Sequence, residues 1–543
     1  MDLFSPKKQL KSNPIKTRLV SPESLESVDL SISEDESSPF ANLSTRAISA
    51  KSRRRPKSTP RSGSLCNQYT KEECNPPACE YIEGEKRQYC RMSRKYQRTA
   101  TGNLTRKIGK EEATEKIKNL IKRSSIFLKR VCSNSGQCVS FGKYTTEITA
   151  YFKGFTGFEY ALTPISAIGG LSANGFIKEI KYERNGYNAY AILKSSRTPD
   201  ADNLVYEYIV GNKFINRILK KFPCFIETYG FYFYDFDSSW KRMLINRPLN
   251  KAVLNGLELQ RTIDYNKACS DSKLAALLIQ HIKDARPLKT VLSTGARYSD
   301  FTIYELLYVL FIIYQALAAL STVFTHYDLH SDNILLFEPH PGKYIEYHYY
   351  LRNGTTIEFK CSYVPKMIDY GRSFFDNGNV SSKTVYEKLC KARDCHSCGY
   401  DNGFNWLDSQ TYLGINSQQK NESHDLRLLV TISAKFKILE SIGGVPRPTK
   451  KTFNEVNKIV NKVIYGRSIE NPDNKEYGTK ENLKEYSGSR KIYNITNAYE
   501  YLQRAILKPK VIAENNERFQ DPINKLGDFH IYEDGRDMEY IPL

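Results

Sequence analysis

The sequence predicts an α+β chain in two lobes, β-rich over residues 155–282 and helix-rich over 283–543 with a C-terminal extension. Three observations predict it. Short strand-like runs, such as residues 187–193 (YNAYAIL) and 225–234 (FIETYGFYFY), surround one helical stretch at 204–219. Beyond residue 300 the apolar residues recur at helical spacing, as in 304–320 and 452–464. Strands that precede the helices, rather than alternate with them, mark an α+β order.

The N-terminal region is of a different kind. Residues 1–63 are rich in Ser, Pro, Lys and Arg, and bury too little apolar surface to offset the entropy of ordering, so a disordered basic tail is expected. The whole chain carries +20, and residues 1–110 hold 22 Lys plus Arg against 12 Asp plus Glu, a difference of 10 and half of that excess. Such a charge suits an anionic partner and leaves the function open. Within the tail, residues 51–57 (KSRRRPK) fit a nuclear-import signal or a nucleic-acid patch, but a solvated basic run is the plainer reading. Ser5, Ser21, Ser38 and Thr59 each precede a proline and could accept phosphate, although dipeptides this short are common.

Twelve cysteines are few for a secreted scaffold of 543 residues, and the first residues lack a basic-then-apolar leader pattern. An intracellular, reducing setting is therefore expected. Residues 306–324 approach membrane-spanning length, yet they contain Gln315, Tyr308, Tyr314 and a Ser-Thr pair, and run straight into a charged loop. A buried core helix is expected there, and no transmembrane segment.

Cys66, Cys74, Cys79 and Cys90 fall within a short stretch around Asn75-Pro76-Pro77. Four thiols could hold one zinc, but the paired C-x2-C knuckles of common zinc sites are missing. Residues 66–79 (CNQYTKEECNPPAC) resemble the two-cysteine adaptor module of large DNA viruses, which implies a docking role for residues 64–92. Residues 93–154 read as a linker with helical content.

The chemistry concentrates at residues 326–336 (HYDLHSDNILL), a polar loop between the apolar helix and a strand-like run. Asp328 could orient a hydroxyl and accept its proton, and Asn333 offers a neutral oxygen to a hard cation. Asp and Asn that merely cap turns are the plain alternative. In residues 367–372 (MIDYGR) Asp369 follows an apolar pair and precedes Gly371, whose missing Cβ permits a turn. The 41 residues between Asp328 and Asp369 include 344–363, where Asn353-Gly354 between alternating residues predicts a hairpin.

Upstream, residues 168–177 (IGGLSANGFI) form a glycine-rich stretch, and a strand ends in Ala191-Ile192-Leu193-Lys194 nineteen residues after Gly175. In this order the elements resemble eukaryotic-type Ser/Thr protein kinases, specifically the divergent kinases of large DNA viruses such as iridoviruses, over residues 168–429. The resemblance implies a bilobal fold, ATP and Mg2+, and transfer of the γ-phosphoryl group to Ser or Thr of protein substrates. It implies that Ile168, Gly169, Gly170, Ser172, Gly175 and Ile177 cover the nucleotide, and that Lys194 contacts its phosphates. Glu207 is the expected partner of Lys194, with Glu179 and Glu183 as alternatives. Gln280 to Ile282 would meet adenine, Asp328 would act as the catalytic carboxylate, Asn333 and Asp369 would hold the metal, and Asp425 would brace the catalytic loop. A host cytoplasmic, virion or nuclear location follows from the same resemblance.

The departures are specific. Tyr327 stands where many kinases carry the arginine that pairs with a phosphorylated loop, and no A-P-E signature follows Asp369. Cys390, Cys395, Cys398 and His396, with Cys361, could form a second zinc site, though reduced structural thiols are the commoner case. His330 replaces a lysine, and the resulting H-x-D-L-H-x-x-N also resembles aminoglycoside and choline kinases. A small-molecule phosphotransferase and a catalytically silent scaffold are the two rival readings.

Overall fold

The computed structural model describes residues 79–84, 87–92, 128, 131–132, 136–169, 175–196, 203–263, 274–386, 415, 417–442, 445–465 and 490–543. The predicted tail, Cys66, Cys74, Gly170, Ser172 and the cluster of Cys390, Cys395, His396 and Cys398 lie outside them. Strands β1 (Cys79–Gly84) and β2 (Arg87–Met92) pair as an antiparallel hairpin.

The main sheet is antiparallel. It is built from β3 (Ser166–Ala167), β4 (Phe176–Arg184), β5 (Tyr187–Ser195), β6 (Thr228–Tyr234), β7 (Leu257–Gln260) and β8 (Ala275–His281), in the order β3-β4-β5-β8-β6-β7. Period-2 alternation explains β4, whose Phe176, Lys178, Ile180 and Tyr182 are buried on one face. Buried Lys178 keeps its charge satisfied by donating to the Ile245 carbonyl at 2.7 Å. β8 lies mid-sheet and is apolar on both faces.

One face of this sheet is covered by α1 (Tyr144–Tyr151) and by Leu128, Phe152 and Phe155. Leu128, Val131, Cys138, Ile148, Tyr151 and Phe152 therefore belong to the sheet's core. The boundary expected at residue 155 falls inside a packed layer, because Ile148, Tyr151, Phe152 and Phe155 recur with helical spacing and bury together. Cys132 and Cys138 form a disulfide beside this layer, which departs from the expectation of reduced thiols throughout.

The other face carries α2 (Asn203–Val210), whose helix continues through a π turn at Gly211–Ile215. A Cβ on Gly211 would collide with the Thr228 side chain of β6. Gly211→Ala is expected to destabilise the protein by about 1–3 kcal/mol, the usual cost of overpacking. Chemical denaturation measures it.

The second half is organised on α3 (Leu306–Ala319), in which residues 306–317 are all buried. It packs among α4 (Arg427–Ser441), α5 (Lys451–Val460), α6 (Ile495–Ile506) and α7 (Pro509–Arg518). At 14 residues α3 is about 21 Å long, well short of the ~30 Å hydrocarbon core. Among the described residues no helix is long and apolar enough to cross a membrane.

Small sheets frame the loop after α3. β9 (Arg286–Pro287), the short pair β10 (Ser293–Thr294) and β11 (Arg297–Tyr298), and β12 (Phe324–Thr325) lead to β13 (Ile334–Phe337). The predicted hairpin is present as β14 (Tyr344–Tyr350) and β15 (Thr356–Cys361), turning at Gly354 with φ +81°. β16 (Val364–Met367) and β17 (Phe374–Phe375) follow. C-terminal strands β18 (Lys525–Tyr532) and β19 (Glu539–Pro542) complete a four-stranded sheet with the hairpin, β18 running parallel to β14. Cys361 is buried in β15, where its thiol donates to Glu305 at 3.6 Å; the other members of the expected second zinc site lie outside the described residues.

Candidate active site

Two strand ladders bring the two predicted carboxylates together. β13 pairs with β16, with Ile334 opposite Met367, and β12 pairs with β17, with Phe324 opposite Phe375. The segments between, 326–333 and 368–373, must then run side by side. The Ile368 N–H donates to the Asn333 carbonyl at 3.1 Å, the His326 ring nitrogen Nε2 lies 3.1 Å from the Ile368 carbonyl, and the Ser373 hydroxyl donates to the His326 carbonyl at 3.2 Å.

A turn before α4 grips the same loop from below. Asp425 accepts the N–H of His326 at 2.7 Å and of Tyr327 at 2.9 Å, while Tyr314 of α3 donates to the Asp425 carbonyl at 2.9 Å. Burial pushes the Asp425 carboxyl up to about 7 despite these two bonds. Tyr327 sits at φ +63° and Asp369 at φ +69°, a conformation costing about 1–3 kcal/mol in a residue other than glycine. The surrounding bonds hold both. The glycine expected to make this turn, Gly371, is not in that conformation, and a Cβ there would meet nothing closer than 3.7 Å. The turn is imposed on Asp369 itself.

Lys194 lies in the sheet between Ile177 of β4 and Leu277 of β8, and its ammonium reaches out to two carboxylates. Its Nζ is 2.7 Å from Glu207 of α2 and 2.9 Å from Asp369. Of the three candidate partners, Glu207 is the one that meets it; Glu179 pairs with Lys283 and His281, and Glu183 with Lys181. Burial disfavours the ammonium, yet the charges of Asp369 and Glu207 hold its pKa above the ordinary lysine value. Asp369 is held below the usual carboxylate range by Lys194, whereas burial raises Glu207.

Asp328 is flanked by cations. Its Oδ1 is 3.0 Å from the guanidinium of Arg427, its Oδ2 is 3.6 Å from that of Arg372, and His330 Nε2 is 3.7 Å away. Burial holds His330 below its ordinary value, which leaves the ring neutral at pH 7. Asn333 donates its amide nitrogen to the Asp328 carbonyl at 2.9 Å, so the amide oxygen is what it has left to offer. The two arginines were missed in the sequence. Their signal was position alone, Arg372 one residue after Gly371 and Arg427 two after Asp425.

The phenol of Tyr370 accepts the Ile226 N–H at 3.1 Å and donates to the Met367 carbonyl at 2.7 Å, which gives the hydroxyl a place in the core. On the sheet, Ile168 and Gly169 lead out of β3, while Gly175 and Ile177 lead into and along β4, the Ile168 N–H donating to the Ile177 carbonyl at 3.2 Å. Gln280 and His281 are the last residues of β8 and Ile282 follows it; the Gln280 N–H donates to the Glu227 carbonyl at 2.8 Å, and the side chains of Gln280 and Ile282 are buried.

Asp369 and Asn333 fit a hard cation. Both offer only oxygen, Asp369 commits one carboxylate oxygen to Lys194, and its side chain is 41 % exposed. The arrangement is a carboxylate poised between cations beside a second carboxylate tied to a lysine. It can position a hydroxyl and gather charged phosphate oxygens. No family model matches the chain, and no curated protein matches it.

Proposed function

We propose that the chain is an ATP-dependent protein kinase that transfers the γ-phosphoryl group to Ser or Thr hydroxyls of protein substrates. The observation that carries this reading is the single ammonium of Lys194 joined to both Glu207 and Asp369, at 2.7 and 2.9 Å, with Asp369 in the segment that runs beside the Asp328 loop. Elements 175 residues apart in sequence are tied by that contact. In a phosphotransferase it fixes the lysine where α- and β-phosphates require a cation.

In this reading Asp328 orients the acceptor hydroxyl and takes its proton as the oxygen attacks the γ-phosphorus. Arg372 and Arg427 hold the carboxylate in register, and the neutral His330 leaves the positive charge to them. Asp369 and Asn333 would hold Mg2+, which supplies neutralisation of phosphate charge when bound. The sheet turn between Ile168 and Ile177 would lie over the nucleotide.

The test is direct. The full chain, incubated with Mg2+ and γ-labelled ATP in the presence of mixed dephosphorylated proteins, is expected to place label on Ser and Thr. Label found only on small hydroxyl compounds would replace this reading with the small-molecule one.

A further inference from the structure

Next to the Asp328 loop opens a groove of about 450 Å3. Its floor is the loop residues His330 and Asp332, and its walls come from Lys289 and from Arg427, Lys435 and Ile438 of α4. Arg427 belongs to both places, since the same guanidinium lies 3.0 Å from Asp328. The groove is thus continuous with the carboxylate that would face the acceptor.

Its chemistry is one-sided. Of its three cations, Lys289 is paired with Asp332 at 3.0 Å and Arg427 with Asp328 at 3.0 Å, which leaves the Lys435 ammonium without an ion pair among the described residues. Ile438 adds a large apolar side chain that is 56 % exposed. An uncompensated ammonium beside an exposed apolar side chain suits a polypeptide with carboxylate side chains better than a neutral metabolite.

Resting on the kinase reading above, we infer that this groove holds the polypeptide flanking the phosphoacceptor and selects segments with Asp or Glu beside the Ser or Thr. The acceptor hydroxyl lies at Asp328, and a flanking carboxylate meets Lys435. His330 is neutral and contributes shape. Selectivity then arises from binding, and it falls mainly on KM for the acceptor.

Two serine peptides that differ only in their flanks, Glu and Asp in one and Ala in the other, test this with the full-length chain. Wild type is expected to use the acidic peptide with a kcat/KM about tenfold above the neutral one. Lys435→Glu is expected to abolish that ratio through the peptide KM, with the KM for ATP and the rate on the neutral peptide unchanged. Equal use of the two peptides by wild type, or a ratio unaltered by Lys435→Glu, would overturn the groove assignment and leave the kinase reading standing. Failure to label any peptide or protein would overturn both.

Discussion

Lys194→Met is expected to cut phosphoryl transfer by a factor on the order of 10²–10³, the range for removing one preorganised charge that stabilises a transition state. The same change acts on the fold. Glu207 is buried, its side chain 5 % exposed, and Lys194 is the cation that compensates its charge. Removing one partner of a buried pair costs about 3–5 kcal/mol, because the survivor stays desolvated. Adding Glu207→Gln removes the stranded charge, so the double variant is expected to recover most of the lost stability and none of the transfer. Urea denaturation and a transfer assay on the same three proteins separate these effects.

Asp425 controls the second large effect. Asp425→Ala leaves the buried N–H groups of His326 and Tyr327 without acceptors, at about 1–3 kcal/mol each. The loop they anchor carries Asp328, and a displacement of about 1 Å there is expected to cost about 10²-fold in transfer rate. Asp425→Asn gives a pH signature. The folded carboxyl keeps its proton up to about pH 7, whereas the unfolded chain releases it near pH ~4. The fold binds more protons between these values, so the stabilising contribution is complete below about pH 4 and is lost as pH rises through 7. Stability of wild type relative to Asp425→Asn should therefore fall from pH 4 to pH 8, by up to about 4 kcal/mol. A difference that grows with pH contradicts this account of the buried carboxyl.

Legibility in the sequence followed the physics of each element. Period-2 and period-3.6 patterns report burial, so the α+β character, the fully buried α3 and the hairpin turning at Gly354 could be read directly. The pairing of Lys194 with Glu207 came from the resemblance, which left Glu179 and Glu183 as alternatives that the 2.7 Å contact replaces. The arginines around Asp328 were not readable, because no periodicity or spacing marks a surface cation that turns inward. Residues 128–154 looked like a linker because their apolar face is short and broken by Lys143, Lys153 and several threonines, although α1 buries it fully. Gly371 misled in the opposite sense, as the strained backbone belongs to Asp369, two residues earlier.

The central claim is that Asp328 acts on an acceptor hydroxyl in a site that assembles nucleotide and metal around Lys194, Asn333 and Asp369. The most direct test compares wild type with Asp328→Asn, which keeps the shape of the side chain and removes its basicity. Both proteins are incubated with Mg2+ and γ-labelled ATP, and the rise in melting temperature caused by the nucleotide is recorded alongside. The account predicts labelled Ser and Thr with wild type, a loss of at least about 10²-fold in the variant, and the same nucleotide-induced rise in both. Equal labelling by the two proteins, or no labelling and no rise with either, would contradict it.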